Sequence, residues 1–217
     1  MNNGIIYKFM RYTRSSHFNV NELKKFARDF IRNRLDSLKK DIEHCLMEPF
    51  APFPAILYCF STIDLLGALY AGQANPRHSV GGKKIVTSEN SKLYMKDFMN
   101  YTQEQTDLIM SIFRHKMVHL AQPNPIKKHN SKITSWRYEH SNLSKHLSLD
   151  ILSPPVELRV KQDWKIPIEQ VFNISIFHLM EDIRDSVERH GGYLDKFETD
   201  QKLQNNFKNA VEEIYRF

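Results

Sequence analysis

Cysteine is scarce in this chain: its 217 residues hold two, Cys45 and Cys59. Two thiols without C-x-x-C spacing exclude a disulfide framework, so their default is free thiol in a reducing cytosol, with room for at most one bridge. Glycine is scarce as well, at seven residues. Neither a phosphate-cradling Gly-rich loop nor a G-x-S-x-G elbow occurs, which leaves a nucleotidyltransferase site and a hydrolase elbow without support. Residues 1–16, MNNGIIYKFMRYTRSS, hold only a broken apolar run with no small-residue cleavage site behind it. They do not read as a signal peptide, and the expected location is cytoplasmic. Internal repeats and low-complexity tracts are absent from the sequence. Neither sign of charge dominates, with 31 basic against 25 acidic residues and a formal +6 before any of the ten His protonates. Such a surplus permits a nucleic-acid partner without demanding one.

What is present is the composition of a folded globular protein: 41% apolar, 12% aromatic and 26% charged residues. That argues against disorder and coiled coil and, at this length, for one domain. The surplus charge is localised, because residues 1–44 carry ten basic side chains against five acidic ones. Residues 21–46 read as a long amphipathic helix, with Asn21 as N-cap, Leu23, Phe26, Ala27, Phe30, Ile31, Leu35, Leu38 and Ile42 at helical spacing, and a basic opposite face. Pro49, Pro52 and Pro54 end it, and an apolar helix over 54–71 follows, closing at Gly72. The run 53–72 is about as long as a bilayer-spanning helix. Asp64 near its centre, which costs roughly 2.5–3.5 kcal/mol in a membrane, favours a buried bundle helix instead, with no membrane partner.

Residues 73–88, with Pro76, Gly81 and Gly82, read as a surface loop. Helical pattern resumes over 89–101 and from Thr102 as N-cap to about residue 121, where Pro123 and Pro125 stop it. From Lys132 to Val160 apolar residues recur mostly every second position, which predicts two or three β-strands. Helix is expected again over 168–190, ending at Gly191–Gly192, and a last helix from Asp200 on. The expected fold is therefore mainly α: a single-domain helical bundle over 1–217, with a β-rich insertion at residues 131–162.

One segment carries chemistry. Residues 108–120, LIMSIFRHKMVHL, combine apolar helical anchors with Arg114, His115, Lys116 and His119. On a helix His115 and His119 lie a turn apart on one face and Arg114 reaches the same region, so one Arg and two His can converge on a phosphate.

Arg114-His115-Lys116-Met117-Val118-His119 matches the R-Φ-x-x-x-H signature of the HEPN superfamily, where Φ is Asn, Asp or His, and the chain resembles that family. The phrase STIDLLGALYAG followed later by FRHKMVHL also looks like a pairing in uncharacterised bacterial HEPN-like proteins. The resemblance covers the helices of 21–121 and 168–190. It implies a HEPN-like helical bundle with the motif late in a helix, a homodimer with facing motifs, and metal-independent endoribonuclease activity without a cofactor, in a toxin or defence setting with RNA as substrate and an antitoxin protein as partner. By carry-over His119 is the catalytic base or acid, Arg114 the phosphate clamp, and His115 the partner acid or an orienting group. The residue types suit that reaction: His transfers protons near neutral pH, and the Arg fork matches phosphate oxygens.

Competing readings use the same residues. Arg and two His on the polar side of a helix also make a solvated face or a hydrogen-bonded cluster, as in a catalytically inactive module that binds RNA or dimerises. His115 and His119 could hold zinc with His129 or His140, but Lys116 stands where H-E-x-x-H needs its Glu, so no metal is expected. Asp64, an ionisable group in an apolar helix, needs a partner: Arg114, which it would position, or a hydroxyl of the bundle. Lys24, Lys25, Arg28 and Arg32 could follow an RNA backbone, or form a solvated face.

Overall fold

The computed structural model describes residues 19–74, 79–80, 83–84, 87–114, 127–162 and 164–215. They fall into two compact units: one takes the chain up to Ser37, Thr62–Asn100 and the residues from Arg184 on, the other Leu38–Ser61 and Tyr101–Ile183. The helices are α1 (Val20–Cys45), α2 (Pro52–Ala71), α3 (Thr87–Asp97), α4 (Gln103–Leu108), α5 (Ile176–Glu188), α6 (Tyr193–Phe197) and α7 (Gln201–Ile214). The strands are β1 (Ser79–Val80), β2 (Lys83–Lys84), β3 (Lys127–His129), β4 (Lys132–Glu139), β5 (Ser148–Lys161) and β6 (Trp164–Ser175).

Among its described residues the first unit is helical apart from the small antiparallel β1–β2 pair. Leu23, Ala27, Ile31 and Leu35 recur at three- and four-residue spacing on α1 and are all buried. Tyr94, Phe98, Tyr193, Phe197 and Phe207 form a continuous chain of ring contacts with centroids 5.1–6.3 Å apart. Gly67 lets α2 touch α3, since a Cβ there would lie 2.8 Å from the backbone of Asn90 and Ser91. Asp200 caps α7 by accepting from the backbone N–H groups of Lys202 and Leu203.

The second unit is built on a four-stranded mixed sheet of order β3-β4-β6-β5. β3 and β4 form a tight hairpin turned by Asn130 and Ser131, both at positive φ, as a two-residue loop requires. β6 inserts between β4, which it meets in parallel, and β5, which it meets antiparallel. Phe113 lies at the centre of the core, with rings of Phe60, Trp136, Tyr138 and Phe172 at 5.8–6.4 Å.

The sheet corrects the expectation of a mainly α-helical, HEPN-like bundle with a β insertion at 131–162: this is an α/β fold whose sheet runs from Lys127 to Ser175. The cause is β6. Ile168, Val171, Phe172 and Ile174 fall at the three- and four-residue spacing of a helix, while Ile166, Ile168, Phe172 and Ile174 also fall at the even spacing of a strand with one buried face. Joined to the helix that follows, the segment has the look of one long helix over 168–190, whereas α5 begins at Ile176. Pro52–Ala71 is long and apolar enough to cross a bilayer by length and composition, and half of its most apolar window is buried inside the protein.

Candidate functional site

Arg114 is approached along a helix whose local structure changes on the way. Thr102 starts α4 with a capping box: its hydroxyl accepts from the Gln105 backbone and the Gln105 side chain accepts from the Thr102 backbone. At Ile109 the α-helix gives way to a π-helical segment, Ile109–Arg114. Ile109, Met110, Ile112 and Phe113 are buried and hold it. Ser111 donates to the Asp107 carbonyl at 2.6 Å and accepts from Lys127 Nζ at 2.6 Å. A hydroxyl whose proton is directed at a backbone carbonyl is a structural tie and not an activated nucleophile. Arg114 closes the segment. Its side chain, and the whole of His115, Lys116 and His119, lie outside the described residues.

The remaining residues singled out from the sequence have definite surroundings. Asp64 Oδ1 accepts a 2.5 Å hydrogen bond from the Ser91 hydroxyl within the first unit. Arg28 pairs with Glu198 at 2.7 Å and Lys24 with the same carboxylate at 3.7 Å, while Arg32 lies 3.9 Å from Glu188. Lys25 is exposed. The basic stripe of α1 is thus partly neutralised by acids of its own chain. His129 meets Glu104 at 2.7 Å, and His140 stacks on Phe50 at 5.5 Å. Among the described residues no three His, Cys, Asp or Glu side chains gather as a metal site would need. Both cysteines are free; Cys59 is fully buried, and burial pushes its thiol far above the ordinary range.

The structure adds a polar cluster in the second unit. Asp182 Oδ2 on α5 accepts from the Tyr101 hydroxyl at 2.6 Å and bonds His146 Nε2 at 3.0 Å. The backbone N–H of Ser175 donates to His146 Nδ1 at 3.3 Å, so Nδ1 is the acceptor and Nε2 carries the proton given to Asp182. Burial, reinforced by the adjacent Asp182 charge, holds the Tyr101 hydroxyl well above its usual pKa, so it stays a donor. With both imidazole nitrogens engaged, His146 has no lone pair for a substrate proton. The cluster clamps the segment around His146 and the end of β6 to α5. His178 lies beside it, its ring 6.1 Å from His146 and its Nε2 3.1 Å from the Ser141 carbonyl oxygen. Nothing local in the sequence announces the cluster, because its three side chains are 36 to 81 positions apart.

Comparison of the chain with family models, curated proteins and solved structures finds no match.

Proposed function

We propose that this protein cleaves RNA without a metal ion, using Arg114, His115 and His119. One observation carries the reading: the helix leading into Arg114-His115-Lys116-Met117-Val118-His119 changes from α to π over Ile109–Arg114, on four buried apolar anchors. Single π turns are rare and recur at functional sites. The chemistry of the three residues is complementary. One His removes the proton of a ribose 2′-hydroxyl, the oxygen attacks the adjacent phosphorus, and the other His protonates the departing 5′-oxygen. Arg114 neutralises the phosphorane's growing charge. The products are a 2′,3′-cyclic phosphate and a 5′-hydroxyl.

The test is incubation of structured and single-stranded RNAs with the full chain in excess EDTA, with His119→Ala alongside. Expected are cyclic-phosphate ends, and a rate about 10²–10⁴ lower in the variant, the usual worth of one proton-transfer group. Loss of cleavage in EDTA, or equal cleavage by the variant, overturns the reading. A second reading, a catalytically inactive module that binds RNA or pairs with itself, is favoured by the exposed apolar residues of β5. It is supported if no RNA is cut.

A further inference from the structure

β5 is an edge strand of the four-stranded sheet among the described residues, and it is unusually bare. From Val156 to Lys161 every residue is exposed, with Val156 at 58%, Leu158 at 38% and Val160 at 43%. An exposed edge that carries apolar side chains is a template for another strand. Its usable length is bounded at both ends. Pro154 and Pro155 cannot donate to a ladder, and the β5–β6 turn follows Lys161, which faces Trp164. Between Pro155 and Lys161 lie residues 156–160, centred on Leu158.

The charges around that centre identify the occupant. Glu157 and Arg159 flank Leu158. In an antiparallel pair of identical strands centred on residue 158, Leu158 faces its own copy, and Glu157 faces Arg159 twice, once on each side of the two-fold axis. Like charges directly opposite would repel, whereas opposite charges and apolar pairs add to strand association. Glu157 already meets Lys165 of β6 at 2.5 Å, yet its side chain is 59% exposed, so its outer side is open to a second cation. A self-complementary patch of this kind closes as a two-fold dimer instead of growing into a fibre.

From this we infer that the partner of β5 is β5 of a second copy of this chain, in antiparallel register about Leu158, which joins two four-stranded sheets into one of eight. The pairing stands apart from the RNA-cleavage reading and holds or fails without it.

Charge swaps on the full chain, read by sedimentation equilibrium, test it, with circular dichroism checking that each variant keeps its fold. Wild type should dimerise, and Glu157→Arg or Arg159→Glu alone should raise the dimer Kd roughly tenfold or more, since attraction becomes repulsion at both symmetric pairs. The first variant then has two basic side chains around Leu158 and the second two acidic ones, so mixing them should give a 1:1 heterodimer. The double variant should dimerise like wild type. Rescue on mixing cannot come from repair of the internal Glu157–Lys165 pair. Register is read separately: Leu158→Cys should form an intermolecular disulfide under mild oxidation, because facing Cα atoms of antiparallel strands lie about 4.5–5.5 Å apart. A monomeric wild type, a dimer indifferent to both single swaps, or two variants that stay monomeric when mixed overturns the inference.

Discussion

A methyl group at position 67 meets backbone and not a movable side chain. The nearest atoms to such a Cβ are the carbonyl carbon of Asn90 and the nitrogen of Ser91, at 2.8 Å each. Gly67→Ala must therefore push α2 off α3, although alanine is the better helix former. Overpacking of this kind costs about 1–3 kcal/mol, and urea unfolding should show a lower midpoint with unchanged slope. Asp64 is one turn away and bonds Ser91, so the same variant loosens the hydroxyl contact that makes a carboxylate tolerable in an apolar helix. Asp182 makes the opposite case, a residue whose removal hurts through what it leaves behind. Asp182→Ala strands the buried Tyr101 hydroxyl and the His146 N–H and should cost about 2–4 kcal/mol, while Tyr101→Phe removes one donor and leaves His146 paired, at about 1 kcal/mol. A double variant no worse than Asp182→Ala alone would show that the Tyr101 contribution passes through that carboxylate.

At the scale of elements, the boundaries that were legible are those written in short-range chemistry. Thr102 and Gln105 spell a capping box, and Thr102→Ala should lower stability by about 1 kcal/mol in thermal or urea melts through loss of the hydroxyl that accepts from the Gln105 N–H. Asp200 before α7 and Gly72 after α2, the latter at φ +75°, are of the same kind. What could not be read has a common cause: its partners are distant in sequence. β6 buries Ile166, Ile168, Phe172 and Ile174 at strand spacing, but Ile168, Val171 and Phe172 also fit a helix, and the pairing with β4 and β5 that decides between the two lies outside the segment. The π segment is likewise invisible in an apolar run that any helix would accept. The Arg-His motif is a signature that the sequence alone spells out, whereas the clamp of Tyr101, His146 and Asp182 has none, because a contact across 36 or 81 residues has no spacing to recognise.

For the whole molecule the tyrosines set an alkaline limit. Among the described residues six tyrosines hold their protons more tightly than free tyrosine: Tyr70, pushed up to about 12 by burial and by its hydrogen bond to Asp97, and Tyr94, Tyr101, Tyr138, Tyr193 and Tyr215, each raised chiefly by burial. The direction of the linkage follows. Above about pH 10 the unfolded chain releases its phenolic protons while the folded chain retains them, so the unfolded state binds fewer protons and stability falls as pH rises. The contribution is fully present below the unfolded pKa and for Tyr70 is lost as pH climbs from about 10 through about 12. Melting temperature should accordingly be insensitive to these groups up to about pH 10 and decline beyond it, and Tyr70→Phe should make the first part of the decline shallower. Phenolate absorbance distinguishes this from general alkaline swelling. The share of the phenolate signal that belongs to the buried Tyr94, Tyr101 and Tyr193 should appear in the same transition that abolishes the circular dichroism of the fold, since burial raises all three. Full ionisation of all nine tyrosines with the native spectrum intact would show that these rings are not enclosed as described.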